Sequence, residues 1–353
     1  MKKLIFKFYV FMSVLSLMAS FSSCKKDTEV NQNTDNTPVQ TEESLAKIAA
    51  TVVDVPKLPE QMEIYYSWPS LVNGSNGDVN KAVSHFTKYN IVVLGDGIWK
   101  TTHGDRAKTI QIITGLKQKN PGIKIFGYVD VGITNNTQNL SIAQLKKAID
   151  GWKVMGINGI FGDDFGSDYG VDRVRQNQVL DYAHTVGLRF FANAWKVEDV
   201  LDGPYCRMGQ YDYYLLESFM VGNGQYRNLS ELTTRAAVAK ILGQKTKTKI
   251  ATLTTVPGTT IAQMNNTSDF YTLGFYTTLM YNFDAFQFTD ANYSASNNKA
   301  YFYNFPLVSY GNSFTSQQID VLSPTLRRRG TNLYNLYISA NGSTFGKGYA
   351  IKK

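Results

Sequence analysis

The sequence predicts a (β/α)8 barrel with a small β-rich C-terminal appendage. Three observations carry that prediction. Short apolar runs recur through the roughly 300 residues after an N-terminal leader, enough for one large domain. Helical patterns separate those runs. Several runs also end in an acid or an amide, where barrel enzymes keep their chemistry. An open doubly wound sheet shares the alternation. However, no GxGxxG or GxxxxGK[ST] follows the first run, which weakens a nucleotide-binding reading.

Residues 1–23 have the form of a signal sequence. Lys2, Lys3 and Lys7 lead a mostly apolar stretch, and Ser22 and Ser23 precede Cys24. This arrangement resembles the lipobox of bacterial lipoproteins, with Phe21 where leucine is commoner, and implies lipidation of Cys24. Lys25-Lys26-Asp27 resembles the export tag of Bacteroidetes surface lipoproteins. The implied location is the outer membrane, on the cell surface or the periplasmic face. Residues 24–45 are polar, too poor in apolar surface to fold, and form a tether. No later segment has the roughly 20 apolar residues of a membrane span.

The net charge is +8, and removing the leader's three lysines leaves +5. So mild an excess, without an Arg/Lys-rich helix, argues against nucleic acid. Apart from Cys24 the chain has only Cys206, and its three histidines lie in separate elements without CxxC or HExxH spacing. No metal site or cofactor is therefore predicted.

The barrel is placed at residues 46–303. Strands are predicted at 62–68, 90–96, 123–130, 157–163, 188–194, 211–217, 249–255 and 274–282. Between them, Asp78 caps a helix that carries Val79, Ala82, Val83 and Phe86 on one face. Ser141 and Gln144 form a capping-box pair ahead of Ile142, Leu145, Ile149 and Trp152, which puts Trp152 in the core. Gly156 and Gly187 close two helices, and residues 225–245 and 258–271 supply two more. The eighth helix, at 286–303, is Asn/Ser/Ala-rich and lacks a clear period. In the appendage, 304–353, the alternation at 333–338 and the turn Asn341-Gly342 predict a hairpin.

In such a barrel the strand ends share one open face. The candidate catalytic residues there are Asp163, Asp164 and Glu217. The candidate substrate-binding residues are Trp68, Asp96, Trp99, Tyr128, Asp130, Asn193, Trp195, Tyr281 and Asp284. Acids, amides and rings together suit a sugar: rings stack on its C–H faces and carboxylates bind its hydroxyls. Glycoside hydrolysis needs a protonated carboxyl and an ionised one, and adjacent acids separate their pKa values. Asp163 and Glu217 fit the reacting pair, Asp163 as nucleophile or stabiliser and Glu217 as general acid. Asp164 either tunes them or caps the following helix. Asp96 and Asp130 are also candidates to orient the others.

Gly127-Tyr128-Val129 and the run Gly156-Ile157-Asn158-Gly159-Ile160-Phe161-Gly162-Asp163-Asp164 resemble the spherulin-4-like barrels and the related polygalactosaminidase-type glycoside hydrolases. The family's Asp falls on Asp163, its Glu on Asp164, a shorter acid, and a sixth-strand glutamate on Glu217. The resemblance spans residues 123–217. It implies a (β/α)8 hydrolase acting on a galactosamine-containing or related surface polysaccharide. The same motifs, with Ala192-Asn193-Ala194-Trp195, also resemble uncharacterised surface barrels of bacteria and phages. Two functions therefore compete: an endo-acting glycoside hydrolase anchored to the envelope by lipid, and a non-catalytic glycan-binding or adhesion lipoprotein on a hydrolase-like barrel.

Overall fold

A computed structural model describes residues 55–353 except 294–296 and 307. The leader, Cys24 and the tether at 24–45 lie outside the described residues. Eight parallel strands close into a barrel: β1 (Glu60–Tyr65), β2 (Ile91–Leu94), β3 (Lys124–Asp130), β4 (Gly159–Asp163), β5 (Arg189–Asn193), β6 (Tyr213–Leu216), β7 (Lys249–Val256) and β8 (Ala285–Asp290). The main helices are α1 (Val79–Phe86), α2 (Arg106–Lys119), α3 (Ile142–Val154), α4 (Arg173–Thr185), α5 (Val197–Leu201), α6 (Leu229–Thr246) and α7 (Asp269–Tyr281).

Alternation along each strand sorts two apolar layers. Met62, Ile64, Ile91, Val93, Phe126, Phe161, Phe191, Leu215 and Leu253 fill the barrel interior. Their neighbours Tyr65, Val92, Leu94, Ile125 and Ile160 pack outward against the helices. The caps behave as their residue types require. Asp78 accepts from the Lys81 N–H at 3.1 Å. Ser141 and Gln144 form the reciprocal capping box, at 2.8 and 3.3 Å.

The glycines of the Gly-Tyr-Val and Gly-Ile-Phe-Gly strands have a packing cause. A Cβ on Gly127 would run into the indole of Trp152, and one on Gly162 into the ring of Phe190. Trp152 is fully buried, and its Nε1 donates to the Tyr128 carbonyl at 2.9 Å. The motif therefore records how closely Trp152 of α3 seats on β3 and Phe190 of β5 packs over β4.

The eighth strand differs from the sequence prediction. Residues 274–282 lie within α7 and its C-cap Asn282, and the strand follows at Ala285–Asp290. The cause is burial on two sides. α7 packs on the barrel and also under the C-terminal sheet, where Gly346 and Gly348 approach Leu273 and Thr272. A helix apolar all round loses its 3.6-residue stripe, and the run Phe-Tyr-Thr-Leu-Gly-Phe-Tyr-Thr-Thr then imitates a strand.

Among the described residues no helix follows β8. The chain instead reaches a four-stranded antiparallel sheet, β9 (Asp320–Ser323), β10 (Leu326–Gly330), β11 (Tyr334–Asn341) and β12 (Phe345–Lys352). The hairpin turn after Asn341 lies where the sequence predicts it, and β9 and β10 add two strands to it. The buried Arg329 fixes the sheet to the barrel. Its Nη1 donates to the Met280 carbonyl at 2.7 Å, in the last turn of α7, where a cation also complements the helix dipole. Among the described residues no helix is long and apolar enough to cross a membrane.

The barrel's seam opens toward the strand C-termini. β1 and β8 pair only at Glu60–Ala285 and Gln61–Phe286. Above them the Gln287 side chain replaces the ladder: its Oε1 accepts from the Ile64 N–H at 2.8 Å, and its Nε2 donates to the Ile64 carbonyl at 3.4 Å. Higher still, the Tyr66 N–H donates to the Tyr293 carbonyl at 3.1 Å.

Candidate active site

Asp163 ends β4 with its side chain turned inward, on the same side as Phe161, and the residue is 1% exposed. Asn193 ends β5 beside it. One atom, Asn193 Nδ2, donates to Asp163 Oδ1 and to Glu217 Oε2, each at 2.8 Å. A primary amide has two hydrogens, so each carboxylate takes one. The two bonds cap the separation of those oxygens at 5.6 Å, the sum of their lengths. Glu217 follows β6 and accepts a second hydrogen bond at Oε1, from the Tyr293 hydroxyl. Behind it, Arg235 Nη1 donates to the Glu217 carbonyl at 3.1 Å.

Burial raises the Asp163 carboxyl to about 6, Glu217 adds repulsion, and hydrogen bonds from Tyr128 and Asn193 oppose the rise. Asp164 is raised further, to about 9, first by burial and then by Asp163, Asp130, Glu217 and Asp168. Its principal charged neighbours are all carboxylates, so at neutral pH it keeps its proton. Its φ of 53° is left-handed. The kink keeps a side chain that strand alternation would send outward within electrostatic reach of Asp163.

Among the described residues, the non-glycine positive-φ positions away from this site are asparagines and the helix cap Lys247, whereas Asp164, Ser218, Met220 and Tyr293 belong to the segments that form it. Asparagine and aspartate tolerate that region, while serine, methionine and tyrosine enter it at a cost.

The other predicted residues divide into three groups. Tyr128 lies in the floor of the mouth, edge-on to Tyr66 at 5.2 Å, and Tyr66 tilts against Tyr293 at 5.0 Å. Burial and Asp163 push the Tyr128 phenol well above its usual range. Trp68 and Trp195 stand on the rim, 46% and 42% exposed. They follow β1 and β5, which lie four places apart in the closed order, so they stand on opposite sides of the barrel's open end. Gly104 and His103 back Trp68, and the Arg235 guanidinium lies 4.1 Å from the centre of the Trp195 ring.

Asp130 and Asp96 hold the loop after β3. Asp130 accepts from the Gly132 and Gln138 N–H groups at 2.9 and 2.6 Å, and Asp96 from Gln138 Nε2 at 2.7 Å. Three residues lie elsewhere. Trp99 is half-buried against Gly151 of α3, on the helix layer, where a glycine Cβ would come within 2.6 Å of the indole. Tyr281 is in the last turn of α7, donating to the Thr233 carbonyl at 3.0 Å. Asp284 precedes β8 at the opposite end of the barrel, held by Lys57 Nζ at 2.6 Å and the Ile250 N–H at 2.9 Å. The last two were misplaced with the eighth strand.

Sequence reasoning missed Tyr293 and Arg235. Tyr293 is an isolated ring in an aperiodic segment. Arg235 lies mid-helix in α6, with no signal that it would stack on a residue forty positions earlier. Among the described residues, no group of three or more His, Cys, Asp and Glu side chains is arranged to hold a metal ion.

No known family profile matches the sequence, and no curated protein matches it. Among solved structures, the glycoside hydrolase domain of PelA from Pseudomonas aeruginosa is similar at 15% identity, covering 69% of this chain and 100% of that domain, with a TM-score of 0.44. A single-residue variant of the same domain gives the same values. The carboxyl transferase domain of Rhizobium etli pyruvate carboxylase with 3-bromopyruvate is similar at 9% identity, covering 70% of this chain and 41% of that one, with a TM-score of 0.42. These are likenesses of barrel to barrel across unrelated chemistries, so the functional reading rests on the site itself.

Proposed function

We propose that this chain is an endo-acting glycoside hydrolase of the cell envelope that cleaves a polysaccharide by carboxylate acid–base chemistry. One observation carries the reading: a single amide, Asn193, fixes Asp163 and Glu217 together beside Asp164, which keeps its proton at neutral pH. Glycoside hydrolysis needs an acid and an ionised carboxylate at one place. The roles differ from those read in the sequence. Asp164 is the proton donor to the glycosidic oxygen. Glu217, oriented by two donors, is the carboxylate that attacks the anomeric carbon as that bond breaks. Asp163, beneath them, stabilises the cationic transition state. Water then attacks the glycosyl–Glu217 ester, giving a proton to the Asp164 carboxylate and restoring both groups.

Asp96, Asp130, Asp163 and Glu217 gather at this end of the barrel, and ionised carboxylates there favour a cationic glycan. A galactosamine-containing polymer, the class implied by the sequence resemblance, fits that charge where its amines are free. Tryptophans on opposite rims suit a chain laid across the mouth, hence internal cleavage. The leader and Cys24 support a lipid anchor in the outer membrane. The test is to incubate the mature chain with amino-sugar, neutral and uronic polysaccharides and follow new reducing ends. Cleavage of the amino-sugar polymer into oligomers is expected. Binding to a glycan without new reducing ends from any of them would overturn the hydrolase reading in favour of a non-catalytic glycan-binding barrel.

Trp195→Ala separates a sugar platform from a core residue. A 42% exposed ring leaves no buried cavity. Stability should fall by no more than about 1 kcal/mol, the order of the lost contact with Arg235. Glycan affinity, read by affinity electrophoresis, should weaken by about 1–3 kcal/mol. A core tryptophan would instead cost about 3–5 kcal/mol of stability and leave affinity unchanged.

A further inference from the structure

We infer that Tyr293 is the positioning residue for Glu217: its phenol holds that carboxylate in the orientation the site requires. The inference rests on the hydrolase reading for its role in turnover, but not for the contact itself.

The backbone around Tyr293 is built to aim this one side chain. Asp290 ends β8, and the Tyr293 N–H donates to the Asp290 carbonyl at 3.0 Å, closing a tight turn. The Tyr293 carbonyl accepts from the Tyr66 N–H at 3.1 Å, across the open seam between β1 and β8. These two bonds hold Tyr293 at φ 50°, a conformation costly for a residue with a large side chain. The ring is buried in the barrel interior beside Tyr66, 5.0 Å between centres. A tyrosine placed there only to fill space would not need the left-handed turn. The turn delivers the hydroxyl to Glu217 Oε1.

The groups that face Glu217 come from separate elements. Asp163 and Asp164 approach from β4, Asn193 from β5, Arg235 from α6 through the backbone carbonyl, and Tyr293 from the loop after β8. Glu217 itself leads into the left-handed Ser218 and Met220. The backbone just after the carboxylate is therefore strained, and the carboxylate's two oxygens are tied to different elements. Asn193 supplies one tie and couples Glu217 to Asp163. Tyr293 supplies the other, at the opposite oxygen. A charge-assisted hydrogen bond fixes the direction of the oxygen that accepts it, so removing the phenol should leave that oxygen untethered.

Tyr293→Phe keeps the ring and its packing and removes only the hydroxyl. In the mature chain carrying carbon-13 at glutamate carboxyls, the Glu217 signal is identified by its loss in Glu217→Gln. In Tyr293→Phe that signal should move in chemical shift and broaden, as expected of a carboxylate that has lost one of its two donors. An unmoved signal would overturn the inference. On a cleaved glycan, kcat should fall about tenfold or more with KM little changed. A purely structural tyrosine would lower the melting temperature and leave kcat in place. The signal decides this inference whether or not any glycan is cleaved, and the reducing-end screen alone decides the hydrolase reading.

Discussion

Glu217→Gln and Asp163→Asn are each expected to lower turnover by about 10²–10³-fold or more, the order for losing a group that meets charge developing in the transition state, with the melting temperature nearly unchanged. The isosteric amides preserve the packing, and the hydrogen-bond roles can be re-met. In Glu217→Gln the new carbonyl accepts from Asn193, and the new NH₂ faces the Tyr293 hydroxyl, which can turn to accept. In Asp163→Asn the carbonyl faces Asn193 and the repulsion between Asp163 and Glu217 disappears. What both variants lose is charge at the point where a sugar cation develops. Steady-state kinetics with parallel melts check this. Full activity in either variant would remove that residue from the chemistry, and a collapsed melt would make the loss structural.

Asp164→Asn is expected to abolish proton donation and at the same time raise stability above neutral pH. The carboxyl ionises at 3.8 in the unfolded chain and at about 9 in the folded one. Its contribution to stability is therefore fully present below 3.8 and is lost progressively as pH rises through about 9. The folded state pays to keep this group in place. Asparagine removes the ionisation and also tolerates φ 53°. The melting temperature of Asp164→Asn should exceed wild type at pH 8, with the difference shrinking toward pH 4, while turnover falls by about 10²–10⁴-fold. A variant both less active and less stable at pH 8 would show that Asp164 is a structural cap.

The sequence displayed the barrel where strands stood as short apolar runs between helices buried on one face only. Seven strands from β1 to β7 stand within a few residues of their apolar runs, and Asp163, Asn193 and Glu217 stand at three consecutive strand ends. Where a helix was buried on two sides the signal inverted: α7, pressed between barrel and sheet, imitated a strand and drew Tyr281 and Asp284 into the site with it. Trp99 was legible as a ring after β2 but not as the partner of Gly151, because that contact depends on how closely α3 seats. Tyr293 and Arg235 were invisible for the same kind of reason. Their roles come from a strained turn and a stacking geometry, which local composition does not encode. The left-handed turn at Asp164 is likewise a tertiary fact, and with it that residue passes from a candidate tuner of the pair or helix cap to the proposed proton donor.

The dependence of kcat on pH tests the central claim most directly, because it asks whether the cluster works while holding one proton. Below about 6 Asp163 takes up a proton, and above about 9 Asp164 gives its proton up. A glycan cleaved by the mature chain should therefore show a bell-shaped profile with limbs near those values, and Asp164→Asn should remove the alkaline limb along with most of the rate. Activity that continues to rise through pH 10 would contradict the account, since no protonated carboxyl could then be the donor.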